Sequence, residues 1–241
     1  MSVHAHVPVS GRFSDHLWEE TKGLRTAIDD LEFLRRLGDG TLPLEVFRTY
    51  MEQDSLYLAG YAKALAILAS KSPDPQTAGF WANSSATAAT VESALHGDLL
   101  NGDLLNGGQL PPREGEPEPS PACLGYVSYL TAVAATESYA VGAAAALPCF
   151  WIYAEVGRAL AASAAQVLAA DPNHPYAQWV TTYDAPEFQE SASRARELVD
   201  EAAAHAGERE RAAMATAFTV ATRFELLFWD TALNPQPWPA A

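Results

Sequence analysis

The chain has 241 residues, 49% of them hydrophobic, so it can bury the core of one large domain or two small ones. It carries 15 basic and 30 acidic residues, and the resulting net charge of −15 disfavours binding to nucleic acid or to anionic lipid. Its two cysteines are too few for a disulfide framework, so we expect reduced thiols in a cytoplasmic protein.

Helical patterns dominate the chain. Ala, Leu and Glu are abundant, and the alternation of β-branched residues that is typical of strands is absent. The patterns predict helices at 43–70, 75–96, 121–147, 148–170, 173–183, 186–206 and 208–233, preceded by a helix that contains His16. The sequence therefore predicts an all-α fold, a single-domain helical bundle over residues 1–241 with tails at 1–11 and 235–241.

Residues 97–121 interrupt the helical pattern. The pentapeptide Gly-Asp-Leu-Leu-Asn occurs there twice in succession, and five prolines follow between Pro111 and Pro121. We predict a mobile surface loop. It is not a domain linker, because the predicted helices on both sides are too apolar to stand alone.

The apolar stretch from Ala122 to Tyr153 is long, but Glu137 and Pro148 interrupt it. We interpret it as two core helices and not as a membrane span. The N-terminal residues lack the basic region and apolar run of a signal peptide, which also favours a cytoplasmic protein.

One of the two cysteines, Cys149, follows Pro148 at the predicted start of a helix. Tyr153 lies four residues later, so the thiol and the phenol share a helix face. A helix N-terminus lowers the pKa of a thiol, which suits a nucleophile. The simpler interpretation, a small buried hydrophobe beside a core tyrosine, stays open on this segment alone.

The helix at 43–70 carries an aspartate on an aromatic face. Tyr50, Asp54, Tyr57 and Tyr61 follow one another at offsets of four, three and four. Because an aspartate is costly to bury without partners, Asp54 is either a ligand-binding group or a residue at an exposed helix edge.

The last predicted helix repeats this arrangement with a glutamate. Phe218, Thr222, Glu225 and Trp229 fall on one face. A carboxylate in an apolar site has a raised pKa and can act as a general acid. The alternative is a salt bridge from Glu225 to a neighbouring base such as Arg223.

In the helix at 121–147, Tyr126 and Tyr129 share a face, and by themselves they are typical of a core.

Taken in order, these segments resemble the TenA / thiaminase II family, whose fold is haem-oxygenase-like. The resemblance covers most of the chain. It lies in Gly38–Pro43, Gln53–Leu58, Tyr126–Leu130, Leu147–Tyr153, Trp179–Tyr183 and Phe224–Asp230. The loop at 97–121 is the main departure, since it is longer and richer in Pro and Gly than the family pattern.

The resemblance implies a role for each matching residue. Cys149 matches the nucleophile and Glu225 the proton donor. The substrate-binding positions match Asp54, Tyr57, Tyr126, Tyr153 and Tyr183, with Tyr57 assisting the cysteine and Tyr126 lining the pocket. The resemblance also implies hydrolysis of 4-amino-5-aminomethyl-2-methylpyrimidine in thiamin salvage, possible cleavage of thiamin, no metal or organic cofactor, and a homotetramer.

Two other classes of function stay open on the sequence. Glu92 and His96 lie four residues apart and could form half of a di-metal site, and His16 could ligate haem. The predicted helices at 121–170 and 208–233 contain no histidine to complete a metal site. The second alternative is a non-catalytic pyrimidine-binding or regulatory protein on the same fold.

Overall fold

The computed structural model describes residues 11–100, 117–170, 174 and 176–239, without the side chains of residues 91–100, 168, 170, 178 and 181. Every regular element in these residues is an α-helix, as predicted. The helices are α1 (Phe13–Glu20), α2 (Lys22–Asp29), α3 (Glu32–Gly38), α4 (Leu44–Lys71), α5 (Pro75–Leu100), α6 (Pro121–Thr136), α7 (Tyr139–Ala170), α8 (Ala177–Tyr183), α9 (Pro186–His205) and α10 (Glu208–Leu233).

Helix α7 lies at the centre of the bundle. It packs against α6, α8, α9 and α10, and also against α4, which in turn packs on α5 and α6. Four consecutive alanines, Ala143–Ala146, are at most 2% exposed, and their small side chains let the neighbouring helices approach α7 closely. The stretch Tyr139–Val167 is long and apolar enough to cross a membrane, yet 89% of its most apolar window is buried in the protein. This burial is typical of a core helix.

The predicted helix boundary at Pro148 is wrong. The chain breaks earlier, at Glu137, and Pro148 lies inside the continuous helix α7. A proline has no amide hydrogen to donate to the carbonyl one turn before it, so it usually ends or kinks a helix. Here the surrounding turn is fixed by packing, and the buried Tyr61 hydroxyl donates to the Ala146 carbonyl at 2.8 Å. Tertiary contacts thus outweigh the local preference of proline.

A stack of four side chains holds the far side of this part of α7. The Trp18 and Trp151 rings are stacked with centroids 3.9 Å apart. Arg25 covers the outer face of this pair at Trp18, and Arg196 covers it at Trp151, each guanidinium 3.8 Å from the ring centroid. Because Trp151 is two residues from Cys149, it projects from roughly the opposite side of the helix. The stack therefore ties α1, α2 and α9 to the turn of α7 that carries the cysteine.

Other helix ends differ from the predictions by a few residues. Helix α5 continues to Leu100, so the predicted loop at 97–121 begins later than expected. Residues 117–120 are not helical, and the Ser120 hydroxyl caps α6 by accepting from the Cys123 amide at 3.1 Å. Residues 101–116 lie outside the described part of the chain, so the mobility of that loop stays a prediction. The helix predicted at 173–183 is the shorter α8.

Gly60 provides a test of the α4–α6 contact. A Cβ on Gly60 would lie 2.2 Å from Cγ1 of Val127, a stiff β-branched side chain. We expect Gly60→Ala to lower the free energy of unfolding by about 1–3 kcal/mol in urea denaturation. The control is Gly79→Ala in α5, where no atom lies within 4 Å and alanine should stabilise the helix by roughly 0.5–1 kcal/mol. Equal stability of the two variants would contradict the packing described.

Candidate active site

Glu225 is a carboxylate held inside a cluster of aromatic side chains, and it is 1% exposed. The Tyr126 hydroxyl donates a hydrogen bond to its Oε1 at 2.7 Å, and the Trp229 indole Nε1 donates one to its Oε2 at 3.3 Å. Trp229 lies one turn after Glu225, so α10 supplies one donor and α6 the other. Both carboxylate oxygens thus have a partner, as a buried carboxylate requires.

The pKa of Glu225 is raised to about 7. Burial is the main cause, since it disfavours the charged form, and the charge of Asp54 also raises the pKa. The hydrogen bonds from Tyr126 and Trp229 act in the opposite direction. A carboxyl group that titrates near neutral pH can donate a proton and accept one in the same cycle. The salt-bridge alternative is wrong, because Arg223 is exposed and the partners of Glu225 are aromatic.

Asp54 lies in the interior between two tyrosines of α4 and is 1% exposed. Tyr50 precedes it by four residues and Tyr57 follows it by three, so the three share a face. Burial raises the pKa of Tyr50, and the Asp54 carboxylate raises it further. Burial also raises the pKa of Tyr153 on α7, with Tyr50 and Asp54 as further causes. Asp54 therefore faces a site shared by α4 and α7, and the alternative of an exposed helix edge is wrong.

Cys149 is half-buried on α7 beside the same tyrosines. Burial raises the pKa of Tyr57, and the neighbouring Cys149 raises it further. Burial, Glu225 and then Cys149 raise the pKa of Tyr126. Because Cys149 lies in the middle of α7, the helix N-terminus does not stabilise its thiolate as the sequence suggested. Its chemistry therefore depends on the groups across the site.

Tyr153 and Tyr183 complete the cluster. The Tyr153 hydroxyl lies 3.2 Å from the Tyr50 hydroxyl, and its ring centroid lies 5.3 Å from that of Tyr183. Gly157 makes this approach possible, because a Cβ there would lie 2.7 Å from the backbone of Tyr183. The absence of a side chain at this position lets α8 lie directly against α7.

All seven site residues predicted from the sequence thus lie in one cluster lined by α4, α6, α7, α8 and α10. They are Asp54, Tyr57, Tyr126, Cys149, Tyr153, Tyr183 and Glu225. Three further contributors were not assigned a site role from the sequence: Tyr50, Trp229 and Phe224, whose ring stacks on Tyr126 at 5.3 Å. The aromatic faces of the last helix and of helix 43–70 already contained Trp229 and Tyr50. Nothing in the sequence indicated the partner of Phe224.

Cys123 is more deeply buried than Cys149. Both cysteines are free, as predicted. Cys123 is 1% exposed, and its Sγ donates to the Gln53 carbonyl at 3.5 Å. Burial, with a contribution from Asp54, raises the pKa of its thiol to about 12. Cys123 therefore stays protonated at neutral pH.

In the described part of the chain, no three His, Cys, Asp or Glu side chains lie together so that they could hold a metal ion. The side chains of Glu92 and His96 lie outside that part. On α1, the His16 side chain is 42% exposed, and its Nε2 lies 3.3 Å from the Glu20 carboxylate. His16 is thus a surface residue.

A cavity of about 200 Å³ reaches the cluster from the surface. Residues 118–121 and the tail residues 235–238 line its outer part, and the buried rings of Tyr50 and Phe228 line it as well. Gln53 makes two hydrogen bonds to the backbone of 118–121, at 2.9 and 2.8 Å, and so fixes one wall. The cavity therefore borders the cluster at Tyr50 and Phe228.

The raised pKa of Glu225 predicts a pH-dependent stability. The unfolded chain loses this proton near pH 4.5 and the folded protein near pH 7, so the stability that the neutral carboxyl provides is lost as the pH rises between them. Glu225→Gln cannot ionise, and we expect it to gain about 3 kcal/mol relative to wild type between pH 4.5 and 8. Urea denaturation at both pH values measures this, with the exposed Glu190→Gln as control. A pH-independent difference would contradict the burial described.

Comparison with known proteins identifies the family. The TENA/THI-4/PQQC family model matches residues 29–235. The chain is 33% identical over 208 residues to the aminopyrimidine aminohydrolase of Bacillus subtilis, covering 86% of this chain and 83% of that protein. It is 31% identical to the aminopyrimidine aminohydrolase of Halalkalibacterium halodurans, over 94% and 97% of the two chains.

Another relative is much longer than this chain. The chain is 38% identical over 229 residues to the thiamine biosynthesis multifunctional protein ThiED of Corynebacterium efficiens. That match covers 95% of this chain and only 29% of ThiED.

Solved structures show the same fold. The TenA homologue protein from P. horikoshii OT3 superposes with a TM-score of 0.78 at 28% identity, over 93% of this chain and 99% of that one. A domain from Shewanella denitrificans described as having a heme oxygenase-like fold superposes with a TM-score of 0.64 at 13% identity, covering 93% of each chain. The matched residues, the relatives and the shared architecture together show that this chain belongs to the TENA/THI-4/PQQC family.

Proposed function

We propose that this chain is a hydrolase of thiamin salvage that converts 4-amino-5-aminomethyl-2-methylpyrimidine and water to the hydroxymethylpyrimidine and ammonia. The observation that carries the proposal is Glu225, a buried carboxyl with a pKa of about 7 in the same aromatic site as a half-buried cysteine. The names of the Bacillus and Halalkalibacterium relatives support the substrate class.

The chemistry needs a nucleophile because an aminomethyl group on an electron-rich ring leaves poorly. The Cys149 thiolate adds to a ring carbon, which breaks the aromaticity and lets the ring electrons expel the exocyclic nitrogen. Protonated Glu225 gives its proton to that nitrogen, so ammonia leaves and an exocyclic methylene forms. Water then adds to the methylene and gives a proton to Glu225. The carbon–sulfur bond breaks, which restores the ring, the thiolate and the protonated acid.

The remaining residues hold the ring for this sequence of steps. Asp54 accepts hydrogen bonds from the amino group of the ring and so sets its orientation. Tyr57 and Tyr126, whose ring centroids lie 4.9 Å apart, and Tyr183 provide apolar faces for a flat heterocycle, and Tyr57 lies close enough to Cys149 to assist the thiol. Positioning of this kind is a large part of the rate that an enzyme supplies. The steps use side chains alone, with no metal or organic cofactor.

The proposal also covers the domain organisation, the compartment, the oligomeric state and the partners of the protein. We propose a single domain that works in the cytoplasm as a homotetramer, with a small pyrimidine as its substrate and neither nucleic acid nor membrane as a partner. Reduced cysteines and the net charge of −15 support the cytoplasmic and ligand assignments. The family resemblance supports the tetramer.

Cysteine variants test the nucleophile. Cys149→Ala should lower ammonia release from the aminomethylpyrimidine by several orders of magnitude while the protein still binds the hydroxymethyl product in calorimetry. Cys123→Ala is the matched control and should keep most of the activity, because that thiol is buried and protonated. Normal turnover by Cys149→Ala would exclude nucleophilic catalysis by this residue. Product binding without ammonia release by wild type would instead favour a non-catalytic pyrimidine-binding protein.

The choice of substrate tests the salvage assignment. Cleavage of thiamin requires room beyond the exocyclic carbon for a charged thiazolium, whereas release of ammonia requires almost none. The rings around Asp54 are close-packed, and the adjoining cavity is only about 200 Å³. We expect kcat/KM for the aminomethylpyrimidine to exceed that for thiamin by roughly 10- to 100-fold, measured as ammonia and thiazole release. A preference for thiamin would overturn the salvage assignment and leave the mechanism intact.

A further inference from the structure

The C-terminal tail of the chain is held against the cavity beside the candidate active site. It follows α10, and its residues 235–238 form one wall of that cavity. The Trp238 indole Nε1 donates a hydrogen bond to the Pro119 carbonyl at 3.1 Å, although Trp238 is 53% exposed. Pro235 and Pro237 restrict the backbone of the tail, so ordering it costs less conformational entropy. The tail is thus a fixed part of the cavity wall.

Another wall of the cavity belongs to the helix that carries Asp54. Gln53, the residue before Asp54, lines the cavity and makes the two hydrogen bonds that hold the backbone of residues 118–121. The same backbone segment includes the Pro119 carbonyl that accepts from Trp238. Hydrogen bonds therefore join the tail to residues 118–121, and residues 118–121 to α4, around one cavity.

The cavity adjoins the cluster one helical turn away from each of its two carboxylates. Tyr50 lines it one turn before Asp54 on α4, and Phe228 lines it one turn after Glu225 on α10. The two rings lie 6.1 Å apart. In the proposed reaction Asp54 accepts from the amino group of the ring and Glu225 protonates the exocyclic nitrogen. A substituent on that nitrogen therefore has the cavity as adjoining space.

We propose that the tail sets the size of the leaving group, with Trp238 as a specificity-determining residue. The inference rests on the proposed function. A substituent on the exocyclic nitrogen extends past Tyr50 and Phe228 into the cavity, where residues 235–238 limit its length. Because the cavity holds only about 200 Å³, ammonia and small amines fit beside the tail, whereas a bulky amine displaces it. Displacement breaks the hydrogen bond from Trp238 to Pro119, and this penalty falls on the larger substrates alone.

A series of aminomethylpyrimidines with N-alkyl groups of increasing length measures this limit. The enzyme converts each member, with water, to the hydroxymethylpyrimidine and the free alkylamine, and chromatography of the pyrimidine product gives kcat/KM. Every member keeps the same basic nitrogen, so the series changes size at constant charge. We expect wild type to prefer the unsubstituted substrate to the N-butyl one by about 100-fold. In Trp238→Ala the preference should fall to about 10-fold, because the wall loses its largest side chain.

Two further variants complete the test. A chain that ends at Asn234 lacks the whole wall, and its preference should fall at least as far as that of Trp238→Ala. Leu227→Ala is the matched control, since it removes another exposed apolar side chain, on α10 and outside the cavity lining, and it should keep the preference of wild type.

An unchanged or larger preference in both tail variants would overturn the proposal. An equal loss of kcat/KM for every member of the series, which a merely structural tail would produce, would also overturn it. If wild type converts no member of the series, the proposed function fails, and calorimetry with the same compounds then tests the tail by itself. The dissociation constant should rise with alkyl length in wild type and less steeply in Trp238→Ala, and equal slopes would overturn the inference.

Discussion

The structure depends on the burial of one carboxylate among aromatic rings. Glu225 is stable inside the protein only because Tyr126 and Trp229 each donate to one of its oxygens. Glu225 and Trp229 both belong to α10, so the hydrogen bond from Tyr126 on α6 fixes the register of these two helices against each other. Burial still disfavours the charged form of Glu225 and raises its pKa to about 7. A carboxyl group with this pKa is suited to proton transfer near neutral pH.

A second constraint acts on α7, which carries both Cys149 and Tyr153. Buried alanines and Gly157 let the neighbouring helices approach it, and the stack on Trp151 holds its far side. These contacts keep the helix continuous through Pro148. Cys149, the proposed nucleophile, is thus placed by packing on two sides of a helix, which suits a reaction that depends on positioning.

Periodicity predicted the helical class, whereas most members of the site were predicted by the resemblance to the TenA / thiaminase II family, since periodicity alone left Tyr126 in the core. Asp54 and Glu225 were visible as carboxylates on aromatic faces one turn from their neighbours. The sequence mispredicted the boundary at Pro148, where a local rule favours a break and long-range packing prevents it. The hydrogen bond from Tyr126 to Glu225 and the close approach of Gly157 to Tyr183 join residues far apart in the chain, so no local pattern could reveal them.

The central claim is that a buried, near-neutral carboxyl group serves the chemistry at Cys149. Infrared difference spectra between wild type and Glu225→Gln, recorded across the pH range, isolate the carbonyl band of the protonated Glu225 side chain. The account predicts that this band disappears with a midpoint near pH 7. A midpoint of about 4.3, typical of an exposed glutamate, would contradict it.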